Sequence, residues 1–275
     1  MCSEASAMSS LHIDMQEIEI KARFDRSDVS RVLLGNSQNM GMRPYQEDSF
    51  GFSSIDPENV ANNGFTAIVA DGMGGLTDSK QISTFAVQEF ISGVSEIGSE
   101  RNIALRLSML VQEINHRAYA MQTGGGSTLC AVVLRKDGIY WCSAGDSRIY
   151  LFRNNRLTQI TEDADLYTDL LSDVLNGEIT FDDAEDNEKK TALTGYIGSS
   201  DDIPIEVNFR PFVPECGDKL LLCSDGVYNA LTAGEIASVM YGMPQDAANA
   251  VVSAVLGKSY ENQDNFTAVI LSFEK

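Results

Sequence analysis

The chain lacks the segments that would direct it into or across a membrane. None of the apolar runs in its 275 residues approaches the roughly 18 residues that a membrane-spanning helix requires. The opening stretch, MCSEASAMSS, contains neither the basic region nor the apolar core of a secretory signal. We therefore expect a cytoplasmic protein without a membrane partner.

Basic residues, paired cysteines and histidines are also scarce. A formal net charge of −20 opposes binding to nucleic acid, because the phosphate backbone needs a basic surface. Five cysteines without a CxxC pair argue against a disulfide framework or a zinc cluster. Because the chain has only two histidines, any metal site would consist of oxygen ligands, which favour Mg²⁺ or Mn²⁺.

The apolar residues, 43% of the chain, occur in short segments separated by turn residues. The strand-like runs include FTAIVA at 65–70, LCAVVL at 129–134, KLLLC at 219–223 and FTAVILSF at 266–273. An alternating pattern over 11–24 predicts an edge strand, and the turn residues at 136–138 and 154–155 predict hairpins. Helical spacing of apolar residues covers 77–96, 102–121, 232–241 and 245–256. We expect an α+β fold with a single domain over 11–275, preceded by a disordered tail at 1–10.

The segment 162–202 has a different composition, rich in Asp and Glu and weakly apolar. A polar insertion inside a packed domain is commonly a surface flap or a functional loop. A solvated pair of acidic helices without a function would explain the composition equally well. We refer to this segment as the acidic flap.

Several aspartates stand where an apolar strand gives way to a turn. Asp71 follows FTAIVA, Asp146 follows IYWCSAG, Asp225 follows KLLLCS, and Asp264 precedes the last strand. A single aspartate in this position usually caps its own turn. Strand ends can also converge at one edge, where several carboxylates would repel one another unless cations neutralised them. Spacing alone leaves both interpretations open, as it does for Gly72, whose carbonyl could bind an ion or simply belong to a flexible turn.

A family resemblance makes the interpretation more specific. The segments RPYQED at 43–48, VADGMGG at 69–75, GGST at 125–128, SAGDSR at 143–148, LLLCSDG at 220–226 and DNFTAV at 264–269 resemble, in order and approximate spacing, the motifs of the metal-dependent, type 2C protein serine/threonine phosphatases of bacterial type. The resemblance extends from about residue 35 to the last residue. It implies two antiparallel β-sheets packed as a central sandwich and flanked by helices on both sides.

The same resemblance implies a binuclear centre of Mg²⁺ or Mn²⁺. Asp71 would bridge the two ions, and the carbonyl of Gly72 would bind one of them. Asp225 and Asp264 would hold the other ion. A water between the two ions would then attack the phosphorus of phosphoserine or phosphothreonine.

Other residues of the motifs would complete the site. Glu47 and Asp48 would line the same centre, as ligands or through bound water. Asp146 would help to hold a third, weaker ion, and Arg43 would grip the substrate phosphate with its planar fork of donors. The expected partners are phosphorylated proteins, as substrates of a serine/threonine kinase, and the expected state is a monomer.

Two other functions stay open on these residues. The chain could be an inactive family member that binds phosphoproteins as a regulatory module, but degenerate members normally lose ligand carboxylates, and these are retained. It could also hydrolyse small phosphomonoesters with the same site. Only an assay separates that activity from protein dephosphorylation.

The sequence departs from its relatives in the supply of histidine. Many relatives carry a histidine within or just after the glycine-rich turn, where this chain has Met73 and Leu76. His12 and His116 lie outside every motif, and we expect His116 to be a surface or packing residue. Proton delivery would then fall to a metal-bound water near Asp146. The acidic flap would border the cleft and favour phosphorylation sites flanked by basic residues.

Overall fold

The structure is a computed structural model that describes residues 18–21, 24–74, 77–98 and 102–275. The expectations for the tail at 1–10, for His12 and for Leu76 lie outside these ranges. The strands are β1 Ile18–Ile20, β2 Arg31–Asn39, β3 Ser49–Phe52, β4 Phe65–Ala70, β5 Gly72–Met73, β6 Gly126–Ser127, β7 Leu129–Arg135, β8 Gly138–Ala144, β9 Arg148–Arg153, β10 Arg156–Gln159, β11 Glu206–Val207, β12 Lys219–Cys223 and β13 Phe266–Glu274. The helices are α1 Pro57–Asn63, α2 Thr77–Ile97, α3 Ile103–Ala120, α4 Leu166–Asn176, α5 Phe181–Glu185, α6 Asp225–Tyr228, α7 Ala233–Val239 and α8 Pro244–Gly257.

Two antiparallel sheets form the centre of the protein. One has the strand order β1-β2-β13-β12-β9-β10 and the other the order β11-β8-β7-β4-β3. The two sheets share an apolar interior, to which β12 contributes Leu220 and Leu222, and its alternate residues Leu221 and Cys223 face the opposite side. Because side chains of a strand alternate between faces, a strand such as KLLLC that is apolar throughout must be covered on both sides.

Helices supply that cover on both outer faces. The long helices α2 and α3 pack on the sheet that contains β4 and β7, and α7 and α8 pack on the sheet that contains β12 and β13. At Gly35 in β2, a Cβ atom would lie 2.3 Å from the backbone of α8, so only glycine allows this close approach. The α+β sandwich with helices on both sides is confirmed.

The helical periodicities identified α2, α3, α7 and α8 to within a residue or two of their ends. Both predicted hairpins are present, and Asn154 and Asn155 adopt positive φ values of 52° and 63° at the turn between β9 and β10. Of the edge strand predicted over 11–24, the described part contains β1, which pairs with β2 at the edge of its sheet. The prediction missed α1, although Asp56 caps its first turn and Gly64 ends it with a φ of 81°.

The acidic flap contains α4 and α5, so the helix-pair interpretation describes its local structure correctly. Its two ends lie side by side, because the amide of Leu166 donates to the carbonyl of Ala192 and the amide of Thr194 donates to the carbonyl of Ala164. None of the helices within the described ranges is long and apolar enough to cross a membrane.

Candidate active site

The aspartates at the strand ends lie around one cavity. Asp225 follows β12 and Asp264 precedes β13. Because these strands are antiparallel neighbours, both residues lie at the same end of the strand pair. Asp71 follows β4 in the other sheet, and Asp146 lies in the connection from β8 to β9, which joins the two sheets. All of them line a cavity of about 1050 Å³. Convergence of strand ends is therefore the arrangement that this fold adopts.

Carboxylates this close together perturb one another. Burial, followed by the charges of Asp48, Asp225 and Asp146, raises the pKa of Asp71 well above its ordinary value. Burial, followed by the charges of Asp146 and Asp264, raises the pKa of Asp225 to about 7. Charge repulsion in a partly buried site favours protonation, and a divalent cation would relieve the same repulsion.

Asp48 lies behind this group and does not line the cavity. Its carboxylate is fully buried, and Oδ2 accepts hydrogen bonds from the hydroxyls of Ser224 at 2.7 Å and Thr267 at 2.6 Å. Oδ1 is buried as well, and no donor among the described residues reaches it. Lys80 in α2 donates to the main-chain oxygen of Asp48 at 2.5 Å. An acceptor oxygen without a donor is costly in a protein interior, and it suits a cation or a water bound to one.

Arg43 and Glu47 lie in the loop between β2 and β3 and both line the cavity. Asn265 holds this loop, because its side-chain amide donates to the carbonyl of Tyr45 at 3.0 Å and its Oδ1 accepts from the amide of Glu47 at 2.7 Å. The guanidinium of Arg43 pairs with Oδ2 of Asp264 at 2.6 Å, and its side chain is 50% exposed. Arg43 is therefore tethered at the cavity with donors still available to solvent.

Gly72 and Met73 form the two-residue strand β5, which pairs with β6. A Cβ atom at Gly72 would lie 2.7 Å from the carbonyl oxygen of Glu47 and 2.8 Å from that of Ser79. Close backbone packing thus requires glycine here. The same holds in the GGST motif, where a Cβ atom at Gly125 would lie 2.8 Å from the main-chain carbonyl carbon of Asp78, as expected for a glycine at the start of a strand.

The donor set fits Mg²⁺ or Mn²⁺ in its chemistry. Every predicted ligand offers oxygen, which these hard cations prefer, and the buried Oδ1 of Asp48 has an unused acceptor capacity. Within the described ranges, no group of three or more His, Cys, Asp or Glu side chains is already close enough to enclose an ion. The carboxylates face a common cavity, and a pair of cations would have to draw them inward.

Part of the cavity lining is uncharged. It includes Met73, Tyr119, Gln122, Thr123, Leu193, Tyr196 and Ser200. The flap thus borders the cleft, as expected, but none of the flap residues that line this cavity is acidic. The enzyme's expected preference for substrates with basic flanking residues is therefore not supported by any carboxylate of the flap inside the cleft.

Sequence reasoning missed the residues that hold the site in place. Ser224, Asn265 and Thr267 lie inside recognised motifs, yet only the positions of Ser224 and Asn265 beside aspartates hinted at a structural role. Tyr228, which donates to the main-chain oxygen of Asp146 at 2.9 Å, had no sequence signal. His116 lies on α3 at the surface with its Nε2 at 2.8 Å from Asp202, so the expectation of a surface residue is confirmed.

Known proteins match both the sequence and the fold. The family model described as protein phosphatase 2C matches residues 46–258. The serine/threonine phosphatase Stp of Listeria welshimeri is 31% identical over 240 residues, which are 84% of this chain and 91% of Stp. The protein phosphatase PhpP of Streptococcus pneumoniae is 30% identical over 182 residues, which are 63% of this chain and 71% of PhpP.

Solved structures show the same fold. The S. agalactiae serine/threonine phosphatase superposes with a TM-score of 0.73 at 23% identity, covering 88% of this chain and 100% of that one. The catalytic domain of the phosphatase PstP, solved in complex with two manganese ions, has a TM-score of 0.65 at 21% identity and covers 89% and 99%. The chain therefore belongs to the protein phosphatase 2C family. It is an enzyme of that type, a protein serine/threonine phosphatase.

Proposed function

We propose that the protein hydrolyses phosphoserine and phosphothreonine in proteins with a water molecule activated by two divalent cations, Mg²⁺ or Mn²⁺. The observation that supports this most strongly is the convergence of Asp71, Asp225 and Asp264 on one cavity with raised pKa values at Asp71 and Asp225. The printed description of the PstP structure, which names two manganese ions, is consistent with this proposal. Such cations, when bound, supply a nucleophilic water at neutral pH and neutralise the charge of the phosphate.

The residues of the chain divide the remaining work. Asp71, Gly72, Asp225 and Asp264 would hold the ions with their oxygens, and Asp146 would help to hold a third. Glu47 faces the cavity and would contribute directly or through water. Asp48 lies behind the aspartates that line the cavity and would contribute as a ligand or through bound water, since its carboxylate is buried and fixed by two hydroxyls.

Arg43 would orient the substrate. Its guanidinium already contacts Asp264 through one nitrogen, and a planar fork of donors matches two phosphoryl oxygens at once. Because the side chain is half exposed, the phosphate can reach it without a rearrangement of the core. We expect Arg43 to contribute to substrate affinity and to the alignment of the phosphorus.

A proton must reach the leaving alkoxide. The cavity lining that the structure describes includes no histidine, so we assign this role to a water held near Asp146. The partners would be proteins that a serine/threonine kinase has phosphorylated. We also propose that the enzyme acts as a cytoplasmic monomer.

The test is the hydrolysis of a phosphothreonine peptide with Mn²⁺ by the wild type and by Asp225→Asn. The substitution removes one charge from the proposed ion site at nearly constant shape, so the rate should fall by a hundredfold or more, and EDTA should abolish it. Asp28→Asn is the matched control, because Asp28 is exposed and pairs only loosely with Lys275 at 3.9 Å. An Asp225→Asn enzyme as fast as the wild type, or a rate unaffected by EDTA, would overturn the two-cation proposal.

A further inference from the structure

Tyr228 is the last residue of α6, three positions after Asp225. Its hydroxyl donates to the main-chain oxygen of Asp146 at 2.9 Å. The hydroxyl of Tyr228 therefore fixes the backbone of Asp146, the residue whose side chain lines the cavity.

The ring of Tyr228 is itself held in place. The guanidinium carbon of Arg148 lies 3.5 Å from the centre of the ring, well inside the range of a cation–π contact. Arg148 donates to Oη of Tyr150 at 3.0 Å and forms a fork with Asp163, with Nε to Oδ1 at 3.0 Å and Nη2 to Oδ2 at 2.6 Å. A guanidinium held on three sides cannot easily move, and the ring that it covers is fixed with it.

Asp163 stands at the base of the acidic flap. The next residue, Ala164, donates its amide to the carbonyl of Gly145 at 3.0 Å and accepts from Thr194 at 2.9 Å. Gly145 precedes Asp146 directly. The turn that carries Asp146 is thus joined to the flap by a backbone contact on one side and by the side chains of Tyr228, Arg148 and Asp163 on the other.

We propose that Tyr228 is a positioning residue that fixes Asp146 for cation binding and, through Arg148, couples it to Asp163 at the base of the flap. The inference rests on the proposed function, because it takes Asp146 as a cation ligand. Loss of the hydroxyl removes the hydrogen bond that holds the backbone of Asp146 beside the cavity. Loss of the Arg148–Asp163 fork loosens both the flap and the ring that orients Asp146.

The first experiment measures Mn²⁺ binding and Mn²⁺ use by the intact enzyme. Tyr228→Phe keeps the ring and removes only the hydroxyl. A hydrogen bond is worth about 1 kcal/mol, or roughly fivefold in affinity, so calorimetric titration with Mn²⁺ should show weaker binding in the lower-affinity phase by about that factor. The Mn²⁺ concentration for half-maximal hydrolysis of the phosphothreonine peptide should rise by a similar factor, with KM for the peptide little changed.

Tyr140→Phe is the matched control. The hydroxyl of Tyr140 donates to Asp137 at 2.7 Å, a comparable bond in the β7–β8 hairpin. Its loss should leave Mn²⁺ binding unchanged even where it lowers the melting temperature. Wild-type Mn²⁺ affinity in Tyr228→Phe, or an equal loss of affinity in Tyr140→Phe, overturns the positioning role.

The second experiment reports on the flap without any catalysis. Lys189 and Lys190 are the basic residues of the flap, so trypsin cleavage there measures how firmly the flap is held. Asp163→Asn should speed this cleavage several-fold and also weaken Mn²⁺ binding. An Asp163→Asn enzyme with wild-type cleavage or wild-type Mn²⁺ affinity overturns the coupling. Because titration and cleavage need no turnover, a wild type without hydrolytic activity refutes the proposed function separately.

Discussion

Thr267→Val removes one of the hydroxyls that hold Asp48 and leaves the shape of the side chain nearly unchanged. Thr267 is fully buried in β13, and its Oγ1 lies 2.6 Å from Oδ2 of Asp48. A hydrogen bond to a charged group contributes about 1.5–3 kcal/mol. The substitution also leaves the side-chain amide of Gln38, 2.8 Å from Oγ1, without that acceptor. We expect the free energy of unfolding to fall by about 2 kcal/mol.

For a protein of this size, a loss of 1 kcal/mol lowers the melting temperature by about 2–4 °C, so Thr267→Val should melt about 4–8 °C lower. Thr267→Ser is the matched variant, because it keeps the hydroxyl and loses one methyl, at a cost of about 1 kcal/mol. Both should be measured by thermal unfolding in EDTA, since a cation bound only to the folded state would add its own stabilisation. If Thr267→Val is as stable as Thr267→Ser, the hydroxyl does not stabilise the buried carboxylate and the reasoning fails.

Further outcomes follow from other contacts. The pKa of Glu235 is lowered to about 2, mainly by its hydrogen bond to Lys258. The ionised carboxylate therefore stabilises the folded state fully above the ordinary pKa near 4.5, and this stabilisation is lost as the pH falls towards 2. The melting-temperature difference between wild type and Glu235→Gln should be larger at pH 6.5 than at pH 3.5, and equal differences would contradict the pairing. Gly226→Ala would place a Cβ atom 2.1 Å from the carbonyl oxygen of Asn265 and should cost about 1–3 kcal/mol in urea unfolding, whereas Gly234→Ala in α7, with open space around it, should be neutral or stabilising. Phosphopeptides with basic flanking residues should be hydrolysed faster at low salt than those with acidic ones, because the charge of the acidic flap would attract them, and equal rates would refute this preference.

Local patterns predicted the framework of this protein well. The runs at β4, β12 and β13 are apolar on both faces, and a strand of that kind has few places in a fold other than the centre of a covered sheet. The spacing in α2 and α3 likewise reflects a single buried face on each helix. These features depend on neighbours within a few residues, so they can be predicted from the sequence alone. The missed helix α1 is short and has no buried residue, so its caps were its main signal.

The supporting contacts of the candidate site were harder to predict. Asp48 belongs to a recognisable motif, but its carboxylate is held by Ser224 and Thr267, which lie far along the chain, just after β12 and within β13. The bond from Tyr228 to Asp146 likewise joins α6 to the connection between β8 and β9, and their proximity follows only from the packing of both sheets. Motifs identify which side chains belong together, and the three-dimensional fold decides which of them face the cavity and which lie behind it.

The placement of the aspartates on separate connections has a consequence for how the protein acquires its cations. Asp71 belongs to one sheet, Asp225 and Asp264 belong to the other, and Asp146 lies on the crossing between them. An unfolded chain keeps these residues far apart. If they hold the ions as proposed, those ions would select the docked pair of sheets and add their binding energy to its stability. Cation concentration would then act on the lifetime of the enzyme in the cell as well as on its turnover, and a shortage of metal would show first as faster degradation.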